Sequence, residues 1–174
     1  MEKGYVHVYT GNGKGKTTAA LGLCLRALGA GLKVYIGQFI KDEDSCEITA
    51  LRKLAPDVTV EQYGNGLGLV HEGDDLSEHT LAAKSGYRKA IEALISGKYD
   101  VVILDEINVA GKFGLISVRD IAELIKQKPA AVDLVLTGRY ASLEIIEKAD
   151  LVTEMKEIKH YYNSGVGARK GIEE

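Results

Sequence analysis

The chain has 174 residues, of which 45% are hydrophobic and 27% are charged. This composition is ordinary for a globular protein with one sizeable core, and it argues against a disordered chain or a coiled coil. The net charge of −3 argues against a nucleic-acid-binding protein, because such domains are usually basic. The apolar runs are far too short to cross a membrane, and the first residues lack the apolar core of a signal peptide. We therefore expect a cytoplasmic protein without nucleic-acid or membrane partners.

Apolar, β-rich segments alternate along the chain with segments of helical periodicity. This alternation predicts an α/β fold in which helices cover both faces of a parallel sheet. The predicted strands are residues 5–9, 34–39, 58–63, 101–104, 132–137 and 151–158. The predicted helices are residues 16–28, 47–54, 76–96, 118–127 and 142–149. Because the chain shows neither a repeat nor a linker, we expect residues 1–174 to form a single domain.

A glycine-rich segment, TGNGKGKTT, occupies residues 10–18 between the first predicted strand and the first predicted helix. It fits the P-loop pattern G-x-x-x-x-G-K-[ST] at Gly15, Lys16 and Thr17, whereas Thr10 stands where the pattern has its first glycine. Glycines at alternate positions let successive N–H groups form an anion-binding nest, and the following helix adds the positive end of its dipole. We predict that Lys16 binds nucleotide phosphates and that Thr17 ligates Mg²⁺. The alternative is a glycine-rich turn with an incidental lysine.

A second element supports the nucleotide hypothesis. Residues 101–106, VVILDE, form an apolar strand that ends in Asp105 and Glu106. Acids at this place in P-loop proteins hold Mg²⁺ beside the phosphates, so we predict metal ligation by Thr17 and Glu106 first and by Asp105 next. The alternative is a solvated strand end. Loop and acids together predict a three-layer P-loop NTPase (RecA-like) fold with a mostly parallel sheet of about six strands.

Cysteines and histidines indicate no further metal site. Cys24 and Cys46 are far apart and lack CxxC spacing, and the four histidines lack the spacing of zinc ligands. His79, near the start of a predicted helix, is expected to be solvated.

Five segments resemble, in order, the P-loop ATP:corrinoid adenosyltransferases, the family of the ATP:cob(I)alamin and cob(I)yrinic acid a,c-diamide adenosyltransferases. They are VYTGNGKGKTT at 8–18, GQFIK at 37–41, VILDE at 102–106, LTGR at 136–139, and the tail signature over 159–173, with Lys159-His160 and Gly171-Ile172-Glu173. The family has the same shortened loop without the first glycine. The resemblance covers nearly the whole chain, and the loop and tail together are far more specific than either alone.

The resemblance implies that cobalt(I) of a corrinoid attacks the 5′ carbon of ATP and that triphosphate leaves. It implies ATP and corrinoid as substrates, Mg²⁺ or Mn²⁺ as the metal, a reduced flavin or flavoprotein as electron donor, and a homodimer. Lys16, Thr17 and Glu106 are the expected catalytic residues. The residues expected to contact ATP are Gly11, Asn12, Gly13, Lys14, Gly15, Lys16, Thr17, Thr18 and Arg139. For Arg139, which follows a strand end, a plain surface arginine is the alternative.

The glycine-rich segment 64–75 is the candidate for corrinoid contact. The resemblance implies aromatic side chains in this loop, but this sequence has Leu67 and Leu69. Leucines can fill an apolar wedge but cannot stack, so the preferred corrinoid stays open; a plain connection is the alternative. Some members also have a basic N-terminal cover, which we expect here to be absent or supplied by another subunit.

Three other functions compete with adenosyl transfer. A P-loop nucleotide kinase would transfer the γ-phosphate, but the thymidine kinase type usually has zinc cysteines. An ATPase motor would need a glutamate that activates water, and Glu106 could serve. A binding module would hold nucleotide or corrinoid without turnover.

Overall fold

The computed structural model describes residues 2–41, 45–64 and 75–173. Its centre is one six-stranded sheet. The strands are β1 (Val6–Thr10), β2 (Val34–Phe39), β3 (Val58–Tyr63), β4 (Val101–Asp105), β5 (Asp133–Thr137) and β6 (Leu151–Glu154). They lie in the order β3-β2-β4-β5-β1-β6, and each neighbouring pair runs parallel. The predicted α/β fold with a mostly parallel sheet of about six strands is thus confirmed, and the sheet is parallel throughout.

Helices cover both faces of the sheet. They are α1 (Lys16–Gly29), α2 (Cys46–Leu51), α3 (Ser77–Ile95), α4 (Ile107–Lys112), α5 (Val118–Gln127) and α6 (Leu143–Lys148). Side chains alternate between the faces of a strand, so Val101 and Ile103 of β4 pack with α1 and α2, whereas Val102 and Leu104 pack with α3 to α6. The two apolar clusters make the three-layer architecture of a P-loop NTPase-like fold.

Helix α4 and the end of β6 differ from the sequence prediction. Helix α4 was not predicted: it begins after Glu106, whose left-handed backbone (φ 60°) turns the chain directly from strand into helix, and six residues give too little periodicity to recognise. Strand β6 ends at Glu154 instead of residue 158, because the carbonyl of the next residue, Met155, accepts a hydrogen bond from Gly13 N at 2.7 Å.

The prediction for His79 was wrong, because its side chain is buried within the first turns of α3. Within the described ranges, no helix is long and apolar enough to span a bilayer.

The sequence motifs lie together at the carboxyl edge of the sheet. The glycine loop follows β1, the acidic pair ends β4, and β5, which lies between these two strands, leads into Gly138 and Arg139. Ligands of parallel α/β sheets bind at this edge, so the fold brings the predicted site together from distant segments.

Candidate functional site

The glycine loop is folded tightly against the chain that leaves β6. Gly11 and Gly15 have positive φ angles of 92° and 120°. A Cβ atom on Gly11 would lie 2.4 Å from the carbonyl oxygen of Met155, and one on Gly13 would lie 2.8 Å from it. The loop therefore needs glycine at 11 and 13 for close backbone approach and at 15 for its backbone conformation. Thr10, in place of the usual first glycine, is buried in β1.

Lys16 and Thr17 open α1 and face the interior of the site. The Lys16 ammonium is buried and donates to the Gly13 carbonyl at 2.7 Å. Burial lowers the pKa of Lys16 below its usual value, against the opposing charge of Glu106. The N-cap of α1 is Gly15, so no side chain caps its first N–H groups. An uncapped helix start next to a buried ammonium suits an anion such as a phosphate chain.

Asp105 is the buried centre of a polar network. Its Oδ1 accepts hydrogen bonds from Thr17 Oγ1 at 2.9 Å and Thr137 Oγ1 at 2.6 Å. Its Oδ2 accepts from Gln38 Nε2 at 3.2 Å and Lys41 Nζ at 2.9 Å. Burial opposes the charge of this carboxylate, but Lys41 and the hydroxyl donors outweigh it and hold the pKa of Asp105 below its ordinary range. The network links the first turn of α1, directly after the glycine loop, to β2, β4 and β5.

Glu106 stands beside this network in a different environment. Its backbone N–H donates to Thr137 Oγ1 at 3.0 Å, and Gly138 packs against it, since a Cβ on Gly138 would lie 3.3 Å from Glu106 Cα. Burial and the neighbouring charge of Asp105 raise the pKa of Glu106 above its usual value. The two adjacent carboxyl groups thus differ: the Asp105 carboxylate is held as an anion, whereas Glu106 binds a proton more readily.

Two cavities surround these groups. The larger, of about 680 Å³, is lined by Lys16, Thr17, Thr18 and Glu106 together with the tail residues 171–173. The second, of about 360 Å³, shares Lys16 and Glu106 and is lined further by Asn12, Gly13, Arg139 and His160. Arg139 is exposed and lines the second cavity. Gly11 lines neither cavity, because it packs against Met155.

Lys14 is engaged differently from the sequence expectation of a phosphate contact. Its ammonium donates to Glu173 Oε1 at 2.7 Å, to the Ile172 carbonyl at 2.9 Å and to Tyr161 Oη at 3.2 Å. These three acceptors belong to the C-terminal tail. Lys14 therefore ties the tail to the glycine loop, and its role in phosphate binding stays a prediction.

Lys41, Gln38 and Thr137 are site residues that the sequence reasoning did not assign. Their signal was present, because the resembling segments include residues 37–41 and 136–139. Their role depends on β2 and β5 flanking β4, a fact of sheet order that no local pattern contains. Leu67 and Leu69, the predicted corrinoid contacts, lie outside the described residues.

The fold, the glycine loop before α1 and the acid pair after β4 are those of the P-loop NTPase-like class. A profile of the family ATP:corrinoid adenosyltransferase BtuR/CobO/CobP matches residues 2–173. The chain belongs to this family, which transfers the adenosyl group of ATP to a corrinoid.

Individual relatives agree with the family match. The chain is 37% identical to the corrinoid adenosyltransferase of Pseudomonas aeruginosa over 172 residues, which cover 99% of this chain and 84% of the relative. It is 38% identical to the corrinoid adenosyltransferase of a Sinorhizobium species over 174 residues, covering 99% and 81%. It is 33% identical to that of Escherichia coli K12 over 172 residues, covering 99% and 86%.

Proposed function

We propose that this protein transfers the 5′-deoxyadenosyl group of ATP to the cobalt(I) of a corrinoid, either cobalamin or cobyrinic acid a,c-diamide, and releases inorganic triphosphate. Family membership supports this reaction. The observation that carries the site assignment is the hydrogen bond from Thr17 to Asp105, which joins the phosphate loop to the acidic strand beside the larger cavity.

The reaction needs no nucleophile from the protein. The cobalt(I) of the substrate supplies both electrons of the new cobalt–carbon bond, the bond between C5′ and the α-phosphate oxygen breaks, and the electron pair leaves with triphosphate. The protein must therefore position the substrates and stabilise charge on the leaving group. Lys16 and the uncapped N–H groups of the loop and α1 are placed for this task. Arg139, Asn12 and Thr18 at the cavity walls complete the proposed ATP contacts, together with Gly13, Lys14 and Gly15 of the loop. The ATP contact expected of Gly11, which packs against Met155 outside both cavities, stays a prediction.

The donor set fits Mg²⁺, or Mn²⁺ in its place. Magnesium takes oxygen ligands and keeps few protein ligands beside the substrate phosphates, so it does not need a cluster of acids. Thr17 Oγ1 and Asp105 Oδ1 already converge at 2.9 Å, and Glu106 is the adjacent residue. We propose that Thr17, Asp105 and Glu106 hold the metal, directly or through water. When bound, it would neutralise charge on the triphosphate.

An anaerobic assay tests the proposal. The purified protein is mixed with Mg-ATP and chemically reduced cob(I)alamin or the a,c-diamide, and the optical spectrum is followed for the adenosylated product. Lys16→Ala should lower the rate by roughly 10²–10³-fold, because it removes a preorganised charge at the leaving group. The exposed lysine Lys126 supplies the matched control, Lys126→Ala, which should keep full activity. Release of ADP or orthophosphate without adenosyl product would favour the kinase or ATPase alternatives, and binding without any product would favour a binding module.

Four further properties stay proposals. We propose a single domain over 1–174, supported by one sheet that both apolar clusters share. The resemblance supports a homodimer and a reduced flavin or flavoprotein as electron donor. The cytoplasmic location stays a prediction from the sequence.

A further inference from the structure

The Glu173 carboxylate lies at the centre of a cluster of hydrogen-bond donors that the proposed reaction does not use. Its Oε1 accepts from Lys14 Nζ at 2.7 Å, from Arg169 Nη2 at 3.3 Å and from the Tyr161 hydroxyl. Its Oε2 accepts from Arg169 N at 2.9 Å and from Arg169 Nε at 3.2 Å. An arginine fork, an ammonium and a hydroxyl around one anion are donors with which proteins also bind phosphate. The protein thus contains an anion site that its own carboxylate fills.

The two cations of this site have a support other than Glu173. The centre of the Tyr161 ring lies 5.9 Å from Lys14 Nζ and 4.8 Å from Arg169 Cζ, distances at which an aromatic ring attracts a cation. Lys14 Nζ also donates to the Ile172 carbonyl at 2.9 Å. The donors therefore stay together when the Glu173 side chain alone swings away and another anion replaces it.

The site carries more positive than negative charge. Lys14 and Arg169 contribute two positive charges, against one negative charge from Glu173. Arg169 and Lys14 hold the pKa of Glu173 below its usual range, so the carboxylate is ionised at neutral pH. A terminal phosphate group carries up to about two negative charges and three acceptor oxygens, whereas a carboxylate has one charge and two oxygens. The donor set therefore matches a terminal phosphate better than it matches the carboxylate.

The anion site adjoins the proposed phosphate cradle. Lys14 belongs to the glycine loop and lies two residues before Lys16, so their Cα atoms are at most about 7.6 Å apart. Glu173 lines the larger cavity together with Lys16 and Thr17. A chain of three phosphates bound to the loop is long enough to reach Lys14 as well.

Lys14 has no spare donor for that phosphate while Glu173 is in place. An ammonium has three N–H donors, and Lys14 directs them to Glu173, the Ile172 carbonyl and the Tyr161 hydroxyl. The last two acceptors are neutral, so an incoming anion competes most directly with the Glu173 carboxylate. Surface ion pairs contribute little, so their loss does not prevent this exchange.

We infer that Glu173 holds the place of a terminal phosphate, and that the end of a polyphosphate chain, in ATP or in inorganic triphosphate, displaces it and is then bound by Lys14, Arg169 and Tyr161. The inference rests on the ATP site of the proposed function. It adds Arg169 and Tyr161 to the residues that contact the leaving triphosphate.

Calorimetric titration at low salt with Mg-ATP and, separately, with inorganic triphosphate tests the inference. The variants are Glu173→Gln, which removes the negative charge and keeps the size, and Arg169→Met, which removes an exposed cation. The matched controls are Glu147→Gln on α6 and Arg119→Met on α5, which alter exposed side chains and should change neither affinity. The anaerobic assay measures adenosyl transfer independently of these titrations.

Glu173→Gln should bind the ligands about twofold to threefold more tightly, because the competing anion is lost. Arg169→Met should bind them about threefold to fivefold more weakly, because a phosphate donor is lost. These opposite signs for one ligand alone would identify that ligand as the occupant. Any other pattern would overturn the inference, including weaker binding in both variants, which is the result expected of a carboxylate that only orders the tail.

The same titrations separate this inference from the proposed function. Opposite signs in a protein that forms no adenosylated corrinoid would overturn the proposed function and leave the anion site in place. Adenosyl transfer by a protein whose two variants bind ATP and triphosphate as the wild type does would overturn the inference alone.

Discussion

The glycine loop, residues 11–15, and the C-terminal tail, residues 159–173, border the same cavities but are held in place by different interactions. The loop is fixed by close backbone packing against Met155, where no Cβ atom fits. The end of the tail is fixed by side chains, since Glu173 accepts hydrogen bonds from Lys14, Arg169 and Tyr161. Packing of this kind tolerates no added atom, whereas surface ion pairs contribute little and weaken in salt. Substitutions in the loop should therefore have much larger effects than substitutions in the tail.

Among these substitutions, Gly13→Ala should have the largest effect on the loop and on activity. The added Cβ would lie 2.8 Å from the Met155 carbonyl oxygen and 2.9 Å from the Lys156 carbonyl carbon, so the loop backbone must move. Displacement of the phosphate-binding groups should lower kcat by roughly 10²-fold, measured in the anaerobic assay. Gly29→Ala is the matched control, because its Cβ would meet no atom within 4 Å and should leave activity unchanged. Full activity in Gly13→Ala would show that the loop is not held by this packing.

Thr137→Val should have the next largest effect. The Thr137 hydroxyl donates to Asp105 Oδ1 and accepts from the Glu106 N–H, so valine leaves two buried polar groups each without one partner. We expect a loss of about 1–3 kcal/mol in the free energy of unfolding. We also expect a roughly tenfold lower kcat at saturating Mg-ATP, since Asp105 loses one of its four hydrogen-bond donors and Glu106 loses the acceptor of its N–H.

Denaturant unfolding and steady-state kinetics measure the two effects. Thr153→Val on the exposed strand β6 is the control, and it should change neither. A Thr137→Val variant as stable and active as the wild type would show that the Thr137 hydroxyl does not support Asp105 and Glu106.

Glu173→Gln should have a small effect. Arg169, Lys14 and Tyr161 hold the pKa of Glu173 well below its usual range, so the carboxylate stays ionised at neutral pH. A depressed folded-state pKa means that the contact is complete above the ordinary glutamate pKa and is lost only as pH falls through the lower folded value. Because these ion pairs lie at the surface, we expect the KM for ATP to change by only about twofold to threefold, with the difference vanishing in high salt.

Steady-state kinetics at two salt concentrations check this expectation, with Glu147→Gln on α6 as the control. A change comparable with that of Gly13→Ala would mean that the tail is as rigidly required as the loop.

The smallest expected effect is on cysteine alkylation, which reports how α1, the helix after the glycine loop, packs on the sheet. Cys24 on α1 is buried, and burial raises its pKa to about 11, whereas Cys46 is exposed. Only thiolates react with alkylating reagents, so at pH 8 the native protein should take up one label and the unfolded protein two. Cys46→Ser should abolish labelling of the native state. Rapid native labelling of Cys24 at pH 8 would show that α1 does not pack on the sheet as described.

Local sequence patterns were enough to predict two parts of the site, namely the glycine loop with the start of α1 and the acidic end of β4. The glycines, Lys16 and Thr17 have a spacing that predicts a strand–loop–helix unit, and Asp105 and Glu106 end an apolar run, so their meeting at one sheet edge followed from parallel topology. The hydrogen bonds from Lys41 and Thr137 to Asp105 could not be predicted in this way, because they depend on which strands flank β4.

The attachment of Lys14 to Glu173 spans 159 positions of sequence, and the sequence contains no periodic signal for it. The same holds for the start of α4, which depends on the left-handed backbone of Glu106, a conformation uncommon outside glycine and asparagine.

The identity of the phosphate product tests the central claim most directly. In a single turnover with Mg-ATP and excess cob(I)alamin or its a,c-diamide precursor, ³¹P NMR would identify the product, and optical spectroscopy would quantify the cobalt–carbon bond. Our account predicts one inorganic triphosphate for each adenosylated corrinoid. Orthophosphate or ADP as the initial product, without any adenosylated corrinoid, would contradict it.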